Sequence, residues 1–346
     1  MPRLQLGLVD GNYMLHRALH TTVYQEMKTS AGVHTGGVLG TFMMLRNSIQ
    51  KHGFTRVIMV WDGVHSVRRQ KILPGYKVRD GGKTTKQRVL YESHRKMFME
   101  QEKWVWQLLP LMGVWQVRLA NREGDDVIRV MTETITGADV YVVSDDKDML
   151  QLVTPKVSVC RPMKGDVVTY DNFHEMFGVG RCIQLLRLIA TGDAVDCIPG
   201  AAGERTVNRV MAILDAILRA EGVDVMTLPT HDGEWSGLFG RVIEVCELLA
   251  SFDVRNRRHY ERLADACRGS GVMQRNVNLI DLRREEFSVR EKGLLADYTS
   301  EESTTSAVVT APASDVMKML QHFHIMEAAK ATEHWGSTIE PLRYLT

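Results

Sequence analysis

The 346-residue sequence is most informative first in what it lacks. Its five cysteines, Cys160, Cys182, Cys197, Cys246 and Cys267, lie far apart with no C-x-x-C pair. That spacing argues against a zinc cluster or a disulfide framework, and it implies free thiols in a reducing compartment. No window holds 18 consecutive apolar residues, so no membrane-spanning helix is expected. The N-terminus has neither the charged nor the long apolar region of a secretion signal; Leu4–Val9 runs straight into Asp-Gly and reads as a strand, and the expected location is the cytoplasm. Charge of one sign is missing too, because 43 Lys and Arg face 42 Asp and Glu for a net charge of +1. A uniformly basic, histone-like binder is therefore excluded, although a local basic patch is not. No internal repeat of 20–50 residues is visible.

What is present is an alternating pattern. Leu4–Val9, Arg56–Trp61, Val114–Leu119 and Asp139–Val143 are short apolar runs of strand type. Between them, Gly37–Lys51, Gln87–Met112 and Gly124–Thr136 carry apolar residues at helical spacing. This order predicts an α/β fold, a mostly parallel sheet with helices on both faces. Lys156–Cys160 and Asp166–Thr169 fit a hairpin at the sheet edge. After about residue 171 the reading becomes helical, with Asn172–Phe177, Cys182–Ala190, Thr206–Ala220, Leu238–Ser251 and Arg257–Cys267. The expected units are 1–171 and 172–298. A Ser/Thr/Ala-rich linker follows over 299–314, and 315–346 holds a last helix and tail.

Acidic residues cluster where open parallel sheets keep their ligands, beyond the carboxyl ends of strands. Asp10 and Asp62 each follow a strand. Asp145, Asp146 and Asp148 follow another, Glu123, Asp125 and Asp126 open a helix, and Asp193 and Asp196 stand three apart. One Asp-Gly alone is a turn dipeptide. Together, so many acids at one edge repel one another unless something neutralises them. An oxygen-rich set without paired His or Cys suits Mg²⁺, or Mn²⁺ in its place, and two such ions about 4 Å apart can activate water and stabilise a leaving oxygen.

A basic segment adjoins the second of these strands. Between Ser66 and Lys103 lie eleven Lys and Arg against four acids, a local balance of +7, so the rest of the chain is net negative. Arg68, Arg69, Lys71, Lys77, Arg79, Lys83, Lys86 and Arg88 belong to it, and they suit contact with a phosphate backbone. Tyr76 sits among these cations and reads either as a ring that stacks on an unpaired base or as a buried hinge residue.

Seven blocks in order now resemble the 5′-nuclease superfamily of flap endonucleases, the 5′-nuclease domain of DNA polymerase I and their phage relatives. They are L-V-D-G-N-Y at Leu8–Tyr13, T-G-G at Thr35–Gly37, V-W-D-G at Val60–Gly63, Y-K-V-R at Tyr76–Arg79, E-G-D-D-V at Glu123–Val127, S-D-D-K-D-M-L-Q-L-V at Ser144–Val153, and G-D-A-V-D-C-I-P-G at Gly192–Gly200. The likeness covers about residues 4–215, with a weaker echo at Asn276–Leu282. It implies a PIN-like fold with a helical arch at about 66–103 and a helix-three-turn-helix subdomain that holds DNA, here through Gly200, Gly203, Arg205 and Thr206. It also implies metal-dependent hydrolysis of DNA near 5′ ends and at flap junctions, in replication or repair, with RNA-primer/DNA hybrid as a further substrate.

By motif, Asp10, Asp62, Glu123 and Asp125 would serve one metal, with Asp126 between sites or behind them. Asp146, Asp148, Asp193 and Asp196 would serve the second. Lys77 and Arg79 would approach the scissile phosphate. Cys197 departs from the family Asn, and the hairpin after I-P-G is two residues short, so a potassium ion in that hairpin is left unassigned. Asp145 replaces a small residue and reads as a helix cap or an extra acid beside the metals. The competing readings are a PIN-like ribonuclease and a branched-DNA binding module without catalysis. The terminal helix Asp315–Ala331 would pack on the body or dock a replication protein.

Overall fold

A computed structural model describes residues 4–25, 27–28, 32–78, 84–269 and 271–297. The expected linker at 299–314 and the terminal helix at Asp315–Ala331 lie outside the described residues, as do Arg79 and Lys83.

The chain opens with β1 (Leu4–Asp10), α1 (Gly11–His20), α2 (Thr22–Gln25), α3 (Gly36–His52), β2 (Arg56–Trp61), α4 (Val67–Ile72), α5 (Thr85–Leu108), β3 (Trp115–Arg118), α6 (Gly124–Thr134) and β4 (Ala138–Val143). A short 3₁₀ helix, Lys147–Leu152, leads to β5 (Val157–Arg161) and β6 (Asp166–Val168). The second half holds α7 (Phe173–Phe177), α8 (Arg181–Thr191), β7 (Gly192–Asp193), β8 (Ile198–Pro199), α9 (Glu204–Ala220), α10 (Asp232–Phe252), α11 (Arg257–Arg268), α12 (Val272–Ile280) and α13 (Val289–Asp297), with a 3₁₀ turn at Leu282–Arg284.

The six strands form one sheet in the order β3-β2-β1-β4-β5-β6, parallel except for β6 at the edge. Strand alternation splits the buried side chains between its faces. Val9, Met59, Trp61 and Val143 pack with α1, α3 and α5 through Leu15, Phe42, Leu45 and Val105. Leu6, Leu8, Ile58, Val60 and Val142 pack on the other face with Val127, Ile128 and Met131 of α6. A sheet with both faces covered reads as near-continuous apolar strands, as these do. The later helices build a third cluster around Leu186, Met211, Trp235 and Leu263, which also takes in Tyr76.

Parallel strands all end at one edge, so the turns after β1, β2 and β4 are brought together there. Gly63 makes one of those turns possible: a Cβ on it would lie 2.1 Å from the Leu119 carbonyl oxygen. Two elements differ from the sequence expectation. Gly11–His20 forms α1, a helix the sequence reading did not include, capped by Asp10, whose carboxylate accepts the Tyr13 N–H at 2.9 Å. The basic segment contains the short helix α4, capped by Ser66.

Candidate active site

Each acid is placed by a local device. Besides capping α1, Asp10 accepts the Ser144 hydroxyl at 3.1 Å. The Asp62 N–H donates to Asn12 Oδ1 at 2.9 Å, and its carboxylate accepts the Gly124 N–H at 2.6 Å, tying the end of β2 to the start of α6. Asp146 caps the 3₁₀ helix by accepting the Asp148 N–H at 2.9 Å. Asp193 accepts the N–H groups of Val195 at 2.7 Å and Asp196 at 3.3 Å, which closes the β7–β8 hairpin. Glu123, Asp125 and Asp126 each bring a carboxylate oxygen within 4.8 Å of the others.

Arg69 and Lys77 reach into this set from the basic segment. Arg69, 1% exposed, makes a two-pronged pair with Asp126 at 2.7 and 2.8 Å and a third contact to Glu123 at 2.9 Å. Its Nε donates to the Leu279 carbonyl at 2.9 Å, so the C-terminal helices help hold it. Lys77 Nζ lies 3.0 Å from Glu123 and 3.7 Å from Asp196. The residue takes the left-handed backbone, φ 54°, and its N–H donates to the Asp196 carbonyl at 3.0 Å. A non-glycine residue in that region carries strain, here held by contacts from both halves of the chain.

The electrostatics follow from burial first and crowding second. Burial, then Asp62, raise the Asp10 pKa from 3.8 to about 7. Burial followed by neighbouring acids pushes Asp125 and Asp148 well above the carboxylate range, Asp126 for Asp125 and Asp146 with Asp193 for Asp148. Burial raises Asp146 and Asp196 as well. Glu123 goes the other way: burial opposes its charge, but Lys77, Arg69, the Ser66 N–H and the Tyr76 hydroxyl outweigh it and lower its pKa to about 2. Burial also works against the Lys77 charge, yet Asp125 and Glu123 hold its pKa well above the ordinary lysine value. Lys77 therefore keeps its proton.

Three sequence readings need correction. Of the two readings of Tyr76 the buried one agrees with the structure and the stacking one does not: it is 2% exposed and its hydroxyl donates to Glu123 at 2.8 Å, so its ring is not available to stack on a base. Arg69 is an internal counter-ion of the acids and not a phosphate contact. Arg68 is likewise engaged, with Glu285 at 2.8 Å and the Asn278 carbonyl at 2.7 Å. Asp145 is neither a cap nor one more acid of the cluster, for it accepts the Tyr13 hydroxyl and the Met163 N–H. Lys71, Lys86 and Arg88 are exposed, as the basic-face reading requires. Gly200, Gly203, Arg205 and Thr206 sit where β8 turns into α9, and Arg205 is exposed. Cys197 also has a positive φ of 60°.

Sequence reasoning missed Ser66, Asn12 and Glu285. Glu285 accepts the Ser66 hydroxyl at 2.9 Å besides pairing with Arg68 and Arg122. Only Asn12, next to a strand-end Asp, lay inside a block that could have flagged it.

With this geometry in view, residues 5–178 match the 5′-3′ exonuclease N-terminal resolvase-like domain family. This chain belongs to the 5′-3′ exonuclease family. Among its relatives, the 5′-3′ exonuclease of Aquifex aeolicus is 31% identical over 57% of this chain and 65% of that protein. The 5′-3′ exonuclease of Bacillus subtilis is 28% identical over 62% of this chain and 72% of that protein. The match to DNA polymerase I of Pseudomonas aeruginosa, 32% identical, covers only 21% of that longer protein. In fold, the chain resembles the phage T5 5′-exonuclease solved with zinc bound, at 19% identity and a TM-score of 0.56, over 94% of this chain and 99% of that one. The mostly parallel sheet with flanking helices is thus the PIN-like arrangement expected from the sequence. Among the described residues, no helix is long and apolar enough to cross a membrane.

Proposed function

We propose that this chain is a divalent-metal-dependent, structure-specific 5′ nuclease, a 5′-3′ exonuclease and flap endonuclease that hydrolyses DNA phosphodiesters near 5′ ends and at single-strand/duplex junctions. The observation that carries the reading is the charge imbalance at the sheet edge, where, among the described residues, nine carboxylates face two embedded cations, Arg69 and Lys77. Burial, and after it neighbouring acids, raise the pKa values of Asp10, Asp125 and Asp148, so the fold disfavours the full negative charge of the set. The donors are all oxygen, which fits hard cations such as Mg²⁺ or Mn²⁺. Asp10, Asp62, Glu123 and Asp125 would hold one ion, and Asp146, Asp148, Asp193 and Asp196 the other. Asp126, with both oxygens on Arg69, would support the first group from behind.

When bound, such ions make water a nucleophile at neutral pH and shield the phosphodiester and its leaving oxygen. The remaining work falls to the chain. Lys77 keeps its proton, so it acts as a cation toward the phosphate and not as a base, with Arg79 as its companion. Glu123 holds Lys77 in place through a charged contact, and Tyr76 braces Glu123 from the buried side. Residues 85–93 at the start of α5 are exposed throughout, with Lys86 and Arg88 among them, as suits one leg of an arch around a 5′ single strand. Duplex DNA would lie against the start of α9, where Gly203 provides no capping side chain and the helix N-terminus with Arg205 favours phosphate. In this reading residues 1–171 carry the chemistry and 172–298 grip the duplex.

A cleavage assay on a labelled 5′ flap, with matched RNA and blunt duplex, tests the proposal. Flap cleavage that needs a divalent cation is the expected result. Preference for RNA would favour the ribonuclease reading, and tight binding without cleavage would favour the inactive module.

A further inference from the structure

Three arginines meet at the edge of the sheet away from the acids. Arg129 of α6, Arg181 at the start of α8 and Arg283 of the 3₁₀ turn line a cavity of about 300 Å³, within the size range of small-ligand pockets. The cavity also touches Val157, the first residue of β5, and Glu133, near the end of α6. In a parallel sheet strand beginnings lie opposite strand ends, so this pocket is separate from the site built on Asp10, Asp62 and Asp146.

The three guanidinium groups are not fully satisfied within the protein. Arg283 pairs with Asp281 at 2.8 and 2.7 Å through Nε and Nη2. Arg129 pairs with Glu133 at 2.8 Å through Nη1 and donates to the Glu285 carbonyl at 2.7 Å through Nη2, while its buried Nε has no partner. Arg181 meets only neutral carbonyls, those of Met226 at 2.8 Å, Gln151 at 3.4 Å and Val153. Among the described residues no carboxylate lies within ion-pair distance of Arg181; Asp224, which is nearby, is taken up by Thr227 and the Met226 N–H. Burial, then the Arg283 charge, lower the Arg181 pKa. Three positive charges thus face two paired carboxylates, and one charge has no counter-ion. Arg181 Nη2 and Arg283 Nη1 remain uncommitted donors, and apolar Leu152 and Leu228 form part of the wall.

We propose that this pocket binds a phosphate-class anion, a free phosphate or the terminal phosphate of a mononucleotide. Guanidinium forks match phosphate oxygens in pairs, and an anion there would supply the missing counter-charge. The volume exceeds that of a phosphate ion, which leaves room for a sugar or base against Leu152 and Leu228. The site does not depend on the nuclease reading.

Calorimetric titration of the full chain in EDTA, at constant ionic strength, tests it with two probes, inorganic phosphate and adenosine 5′-monophosphate. Omitting divalent cations prevents metal-bridged binding at the acids, and the flap assay is scored separately, so failure here and failure of the nuclease reading are distinguishable. One saturable site is expected. Arg283→Gln, at a partly exposed position, should weaken it about tenfold or more, as removal of a charge-assisted hydrogen bond requires. Glu133→Gln, at a half-exposed position, should tighten it by removing a competing carboxylate. Opposite shifts in two variants with unchanged melting temperatures are not what a purely structural role for these arginines would give. Tighter binding of the nucleotide assigns the ligand as a mononucleotide, and equal binding assigns it as phosphate alone. No saturable binding of either probe, or affinity unchanged in both variants, overturns the proposal.

Discussion

Asp10 gives the sharpest test of the idea that the acids are held in a charge state that the bare fold disfavours. Its folded pKa of about 7, against 3.8 as the ordinary value, means that the native state binds a proton more tightly than the unfolded chain does. Where the native state binds more protons, stability falls as pH rises. The penalty is therefore absent below pH 4, grows between pH 4 and 7, and is complete above 7. At 1.36 kcal/mol per pKa unit its ceiling is about 4 kcal/mol, and solvent relaxation reduces it, so a few kcal/mol is the working figure. Asp10→Asn removes the charge; its Oδ1 can still accept the Tyr13 N–H, and its Nδ2 would donate to the Ser144 hydroxyl oxygen, reversing the bond that Asp10 Oδ2 accepts. In EDTA at pH 8, urea denaturation should show the variant about 1–4 kcal/mol more stable than wild type. At pH 4 the two should agree. Adding Mg²⁺ at pH 8 should reverse the order, because only wild type gains its full counter-charge. Equal stability in EDTA at pH 8, or a gain that persists at pH 4, would refute the crowding argument.

Other substitutions probe the remaining roles. Lys77→Ala should slow single-turnover flap cleavage by about 10²–10³-fold, the scale for losing a group that meets transition-state charge, whereas a rate within about threefold of wild type leaves it a plain phosphate contact. Asp146→Asn should abolish most turnover yet keep flap affinity in Ca²⁺ within a few-fold; normal cleavage in Mg²⁺ would remove Asp146 from the metal set. Replacing Lys86 and Arg88 together by Ala should flatten the log K against log salt slope by about one unit for each phosphate no longer neutralised, and an unchanged slope would place both in free solvent. Arg69→Met leaves Asp126 and Glu123 without their buried partner and should cost about 3–5 kcal/mol in denaturation, with a decrease under 1 kcal/mol contradicting its place as their counter-ion.

The resemblance blocks and the strand-end acids made the candidate site legible before any coordinates. Asp10 and Asp62 follow apolar runs, and parallel strands must deliver such residues to one edge. The limits appear in the basic segment. Composition gave its net charge of +7, but not that Arg69 turns inward while Lys86 faces water. Hydrophobic periodicity also overlooked α1 and α12, whose Leu279 carbonyl holds Arg69.

By itself, the sequence determined the alternating elements, the acids at their ends and the family, because periodicity and residue type are local properties of the chain. Only the tertiary structure decided which charges pair. Arg69 meets Asp126 across 57 residues, Ser66 meets Glu285 across 219, and among the described residues Arg181 is left without a carboxylate. Whether a cation becomes a buried counter-ion, a surface contact or part of an anion pocket depends on which distant segments exclude water around it, and no local pattern records that exclusion.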